Sequence, residues 1–289
     1  MRIFSSGIAF MILTIFLFSI MNALAKEFTT HYSIIQIVWA RYLSQTILTT
    51  LIFLPNIRDT VKTQNIKLHL FRSLLLFGAT ISMFSGFKYL SLISTITIFQ
   101  IGPLIIVIFS VIFLKENVGY RRWLSVIIGF SGTLFILKPG TTMFAISGFF
   151  PILAAICYAG YAVSTRRLGT NEDPKTNFFY TSLVGTIISS IILIPFFEPI
   201  LLKDLALFSI LGVIGGLGHF CFVIALQKSE ASLLAPFTYF DLIFATILGI
   251  IFFSEYPDTY VIIGASIIVS AGIYTWYREK LQKKEGKFN

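Results

Sequence analysis

Apolar runs of about twenty residues alternate with short polar joints along the whole chain. They fall near 5–25, 34–54, 71–87, 92–114 and 123–137, then near 146–164, 178–197, 206–226, 231–253 and 259–277. A helix rises about 1.5 Å per residue, so each run matches the roughly 30 Å hydrocarbon layer of a bilayer. Within the runs apolar residues follow one another without strand-like alternation, which favours helices over a transmembrane barrel. The pattern predicts an all-α polytopic membrane protein with ten transmembrane helices.

Composition removes the soluble alternative. Of 289 residues, 56% are hydrophobic and 12% charged, with mean hydropathy +0.87. A soluble domain keeps about a quarter of its residues charged, and half that share cannot cover a water-facing surface. The net charge of +9 does not point to nucleic acid, because no basic aromatic module accompanies it. Basic residues of membrane proteins gather in cytoplasmic loops. With the N-terminus in the cytoplasm, 17 Lys and Arg fall on the inner side and only Lys26, Lys88, Lys138 and Lys203 on the outer. This bias predicts a multi-pass protein with both termini cytoplasmic. The opening "MRIFSSGIAFMILTIFLFSIMNALAKE" mimics a secretory signal, with Ala23-Leu24-Ala25 as its apparent cleavage site. Its length and its repeat partner argue for a retained span. Cys157 and Cys221 sit in apolar runs and read as small packing residues, with no disulfide expected.

The repeat appears when the two halves are overlaid. "GIAFMILTIFLFSIMNALAK" from Gly7 matches "GFFPILAAICYAGYAVSTRR" from Gly148 at the same spacing. "FLKENVGYRRWLSVIIGFSG" likewise resembles "FFSEYPDTYVIIGASIIVSAG", placing Glu116 over Glu255 and Gly132 over Gly272. The expected organisation is a first five-helix repeat over 1–140, a second over 141–277 and a basic cytoplasmic tail over 278–289. An odd number of spans per repeat places the second copy upside down relative to the first. Inverted copies around a central cavity are the general architecture of secondary transporters. The glycines of "GVIGGLGH" (212–219) permit either close helix packing or bending.

Other membrane functions lack their residues. No GxxxxGK[ST] run exists for a nucleotide phosphate. Only His219 lies within a span, so paired histidine ligation of a haem has no basis, and clustered acids for a metal-dependent transferase are missing. His219 with scattered serines is too weak a pattern for an intramembrane protease. No cofactor and no metal centre are expected, nor is enzymatic activity.

Several segments resemble a known family. The repeat endings "FLKENVGYRRWLSVIIGFSGTLFILKPG" and "IFFSEYPDTYVIIGASIIVSAGIYTWYRE", with "VWARY" and "LLAPFTYFDLIFATILG", are similar to the two EamA-type repeats of the drug/metabolite transporter superfamily. The resemblance covers nearly the whole chain. It implies a cavity lined by spans one to four and six to nine, with spans five and ten supporting, and secondary transport of small organic metabolites. Within the family, "EASLLAPFTYFDLIF" resembles bacterial S-adenosylmethionine transporters, and the chain is also similar to bacterial riboflavin transporters, which implies a multi-pass protein of a bacterial inner membrane.

Candidate site residues are the polar groups inside the spans. Asp241 lies about ten residues into the ninth run, roughly 15 Å deep, where a charge costs several kcal/mol unless paired, hydrated or protonated. Facing a cavity it would hold a cationic group or a coupling proton; the alternative is a structural pair between helices. Arg41, in the second run, is its natural counter-ion or a snorkelling side chain, and its planar fork suits a solute carboxylate or phosphate. Gln100 and Tyr239 align in the overlay, and Asn22 is similar in depth; each hydrogen-bonds a helix, a water or a solute. His219 is a second candidate for a proton relay or a helix bridge. Trp39 and Tyr158, with Tyr161 and Tyr180, are candidates to stack on a ring, although aromatics also pack and anchor. Glu116 and Glu255 read as helix-ending or gating acids, and the tail "YREKLQKKEGKFN" as an anchor for topology and anionic lipid. The expected function is a proton-coupled or exchange carrier of a small polar metabolite, acting with membrane lipid as a monomer or homodimer. The alternatives are a transporter-fold sensor without net flux, or a lipid-carrier flippase.

Overall fold

The computed structural model describes residues 2–115, 120–137, 148–169, 172–229 and 234–284. Among them every regular element is helical. The first half contains α1 (Arg2–Phe28), α2 (Ile34–Phe53), a short α3 (Ile57–Val61), α4 (Ile66–Tyr89), α5 (Leu92–Phe99), α6 (Gly102–Leu114) and α7 (Tyr120–Leu137). The second contains α8 (Phe149–Leu168), α9 (Pro174–Leu193), α10 (Leu202–Lys228), a 3-10 turn over Ala235–Tyr239, α11 (Phe240–Phe253) and α12 (Thr259–Lys284). Seven helical stretches among the described residues are long and apolar enough to cross a membrane, with shorter apolar helices at Phe237–Phe253 and Thr259–Ala271.

The distribution of side chains is that of a bilayer protein. Leu51, Ile194 and Phe252 lie exposed, whereas Arg41, Gln45, His69, Arg72 and Ser182 are completely buried. Lipid offers polar groups nothing, so they turn toward the interior of the bundle.

The two halves interlock. α1 packs on α10, and α4 on α8; α1 also meets α11, while α8 meets α6. α2 packs on α9, and α7 on α12. Exchanging each helix for its counterpart in the other half reproduces this pattern, so the principal helix pairs join one half to the other. Glycines permit the closest approaches. A Cβ on Gly215 would come within 2.6 Å of Met21 Sδ and 3.2 Å of Arg41 Nε. The stretch 212–219 therefore receives α1 and α2, and α10 runs unbroken through it. Close packing is its role in this structure.

Two runs expected as single helices are interrupted. In the run 92–114, α5 stops at Phe99, four residues before Pro103, which occupies the first turn of α6. A proline ring clashes with the carbonyl four residues back and supplies no N–H, so the helix has to restart. In the run 231–253 a proline again opens the first turn, here of the 3-10 segment, and α11 begins only at Phe240. Both restarted helices end alike. Lys115 and Ser254 take left-handed conformations, with φ of 56° and 52°. Their backbone N–H groups donate to Ser110 O and Gly249 O. Glu116 and the last five residues of the tail lie outside the described residues.

Candidate functional site

A cavity opens where the two interrupted helices meet α1, α2, α4, α8 and α10. α1 lines it with one face, from Met11 and Thr14 through Phe18 to Met21 and Asn22, as three- and four-residue spacing requires. α4 contributes Ala79, Thr80, Met83 and Phe84. The two interruptions supply Phe99 and Gln100 on one side and Thr238 and Asp241 on the other. Arg41, Tyr158 and His219 come from α2, α8 and α10.

Asp241 lies in the first turn of α11 rather than deep within a continuous helix. The 3-10 turn runs straight into α11, and the Phe240 N–H donates back to Phe237 O. Ser19 Oγ on α1 lies 2.6 Å from Asp241 Oδ1.

Arg41 neither snorkels to water nor pairs with Asp241. Its side chain is fully buried. Nε meets Met21 Sδ at 3.3 Å, and Nη1 donates to Thr80 Oγ1 at 3.2 Å. The guanidinium lies 4.5 Å from the Tyr42 ring centre, and Nη2 has no partner. α2 is rotated so that Arg41 faces Gly215, and the gap left by that glycine is where the guanidinium fits.

The other expected residues divide. Gln100 closes α5, and its Nε2 donates to Thr238 O at 2.7 Å, joining the two interruptions directly. Asn22 lines the cavity, and Tyr158 does so while packing edge-on against Phe99 at 5.4 Å. His219 packs on Phe18 and Tyr161, with Nδ1 unpartnered. Trp39 points away: its Nε1 donates to Ser190 Oγ on α9. Tyr239 is also turned from the cavity, into a cluster with Ile93, Ile98, Val261 and Ile268. Tyr161 and Tyr180 serve structure, the first receiving a hydrogen bond from Arg72 and the second donating to Val61 O. Sequence reasoning missed Ser19, Thr14 and Thr80, and the Phe and Met walls. Serines and threonines are too common in membrane helices to stand out, although their three- and four-residue spacing with Asn22 and Met21 was readable.

Polar knots tie the bundle at both ends. Where α1 finishes, Lys26 Nζ pairs with Glu255 Oε1 at 2.7 Å and donates to Leu90 O at 3.1 Å. Glu255 Oε2 accepts the Leu92 N–H at 2.7 Å, so one acid joins the ends of α1, α5 and α11. At the opposite end, Glu172 accepts from Thr63 and Asn65 and lies 3.6 Å from His69 Nε2. Burial pushes the Glu172 carboxyl up, but those hydrogen bonds and His69 together outweigh it and hold the pKa below the usual value.

Comparison with known proteins agrees with this architecture. Residues 5–138 and 145–277 each match the model of the EamA-like transporter family. An S-adenosylmethionine uptake transporter of Rickettsia bellii is 28% identical, covering 97% of this chain and 96% of its own. A riboflavin transporter of Vibrio cholerae is 26% identical, covering 93% and 92%. A crystal structure of a protein 17% identical in sequence superposes with a TM-score of 0.71, covering 96% of this chain and 99% of that one.

Proposed function

The chain belongs to the EamA-like transporter family, and on that basis we propose that it carries a small zwitterionic metabolite across the bacterial inner membrane by alternating access. One observation carries this reading. Arg41 and Asp241 face one cavity, carry opposite charges, and neither is in an ion pair among the described residues. A buried charge without a counter-charge is costly, and a solute bearing both signs would relieve both. The Arg41 Nη2 donor suits a carboxylate, and Asp241 suits a cationic centre. Phe18, Phe84, Phe99 and Tyr158 offer aromatic faces for a ring or an onium group, and Met11, Met21 and Met83 add polarisable, adaptable walls. The relative named for S-adenosylmethionine uptake supports a solute of this kind.

Ten spans, five in each of two inverted repeats, with both termini cytoplasmic, are the topology that fits the charge bias. The Lys26–Glu255 knot then closes the outer end and the Glu172 knot the inner end. The Asp241 carboxylate is the place where a proton and a solute cation exclude one another, which makes coupling or exchange a property of one residue.

Counterflow in proteoliposomes tests the reading. Vesicles preloaded with S-adenosylmethionine should accumulate labelled S-adenosylmethionine, and other amino-acid zwitterions should compete. Movement of uncharged solutes such as riboflavin, with no binding or flux of any zwitterion, would overturn it.

A further inference from the structure

Ser19 occupies an unusual place. It is 2% exposed, on α1, and its Oγ lies 2.6 Å from Asp241 Oδ1 and 2.9 Å from Ile15 O. A hydroxyl carries one proton. When Asp241 is ionised both neighbours are acceptors, and the single proton serves one of them; the shorter distance lies in the range of a charge-assisted bond to a carboxylate. When Asp241 is protonated, its own O–H donates to Ser19 Oγ, and the serine O–H turns to donate to Ile15 O. Every polar group is then satisfied without movement of any heavy atom. Among the described residues Ser19 is the one side chain that hydrogen-bonds the Asp241 carboxyl, through Oδ1.

We propose that Ser19 is a positioning residue that holds Asp241 Oδ1 in both protonation states by reversing the direction of one hydrogen bond, and so presents Oδ2 to the cavity. The proposal rests on the carrier reading of the cavity. In the ionised state Ser19 stabilises the anion and leaves Oδ2 for a cation. In the protonated state the carboxyl has no net charge to offer, yet the tie between α1 and α11 persists. Loading and unloading of the proton therefore leave the contact between the two halves intact, and the site alternates between proton and cation at fixed geometry.

The neighbouring groups are compatible with that switch. The charged or titratable side chains that reach the cavity from packed elements are Arg41 on α2, Tyr158 on α8 and His219 on α10. The cavity faces of α1, α4 and α5 bring only uncharged polar groups, namely Thr14, Asn22, Thr80 and Gln100. Lys26 and Glu255, at the far ends of α1 and α11, are paired with each other, and Tyr239 is turned into its own cluster. Ser19 is thus the group on which the position of the Asp241 carboxyl depends.

The test reads Asp241 directly. The carbonyl stretch of its protonated carboxyl, followed by infrared difference spectroscopy against pH and identified by its loss in Asp241→Asn, gives a titration midpoint without any transport. Ser19→Ala removes the donor to the anion. The midpoint should move about one pH unit alkaline, the size expected for losing a hydrogen bond to a charged group. The pH profile of counterflow should move by the same amount, and Ser19→Thr should restore both. Ser19→Cys, a weak donor of nearly the same shape, should shift the midpoint in the same direction and serves if the alanine variant does not fold. An unmoved midpoint in folded Ser19→Ala or Ser19→Cys, with the band still absent from Asp241→Asn, overturns the role of Ser19 while leaving the carrier reading in place. Wild-type counterflow and pH profile in Asp241→Asn would instead remove the role given to Asp241.

Discussion

The two interrupted helices lie in corresponding runs of the two halves but differ in backbone and in chemistry. In the first half the gap between α5 and α6 carries Gln100, followed by Gly102 and Pro103 at the restart. In the second half Asp241 stands in the first turn of α11, at the place of Gly102 in the repeat overlay. Both restarted helices end in a left-handed residue, Lys115 or Ser254. Charge differs. The first gap is neutral and is held by an amide bonded to Thr238 O in the second. The second is ionisable and is held by a serine on α1. The helix-end geometry is shared, whereas an ionisable group stands at only one of the two interruptions.

The largest consequence of the difference is expected from Asp241→Asn. It turns the ionisable gap into a second neutral one. Affinity for cationic or zwitterionic solutes should fall roughly 100-fold, the size of losing about 3 kcal/mol of charged hydrogen bonding. Thermal shift with S-adenosylmethionine and counterflow would both measure it. Unchanged affinity would mean that the two gaps are chemically equivalent after all.

Glu255→Gln comes next, because it acts where the end of the second interrupted run meets the start of the first. The side chain is mostly shielded, pairs with Lys26 and accepts the Leu92 N–H. The neutral amide keeps the shape but leaves Lys26 without its counter-charge, so stability should fall by about 2 kcal/mol. Lys26→Met together with Glu255→Gln should recover part of that loss, since it removes the stranded charge. A double variant worse than both single ones would exclude the pair as the cause.

Gln100→Leu should cost less. It removes one neutral hydrogen bond between the gaps, about 1 kcal/mol, and leaves Thr238 O to other partners. Denaturation in detergent should register the loss, while solute affinity changes by less than about threefold, half of a 1.4 kcal/mol decade. An effect on affinity as large as that of Asp241→Asn would place Gln100 in direct contact with solute.

Much of this was legible in the sequence, for physical reasons that differ by feature. Apolar runs mark helices because lipid requires every backbone group to be satisfied within the segment. The repeat was readable in Glu116 over Glu255. The interruptions were not read, although Pro103 and Pro236 are present, because membrane helices often tolerate proline without breaking. The partners of the charges were hidden for another reason. Composition places Arg41 and Asp241 in the membrane, but helix rotation decides what they meet. Arg41 found Thr80 and Met21, Asp241 found Ser19, and Trp39 and Tyr239 turned from the cavity.

The smallest expected effect is also the one that the shared helix-end geometry predicts in both halves alike. Lys115 and Ser254 hold φ near +55°, where a Cβ crowds the neighbouring carbonyl at a cost of about 1 kcal/mol or more. Glycine pays no such cost but loses more conformational freedom on folding, which offsets part of the gain. Lys115→Gly and Ser254→Gly should therefore each stabilise by about 0.5 kcal/mol, a rise of about 1–2 °C in a chain of this size. The two ends lie in different halves and share no partner, so the double variant should show the sum. Transport should be unaltered, since neither residue lines the cavity. Destabilisation at Ser254 alone would show that the end of α11 relies on its side chain, and with it that the two helix ends are alike in backbone only.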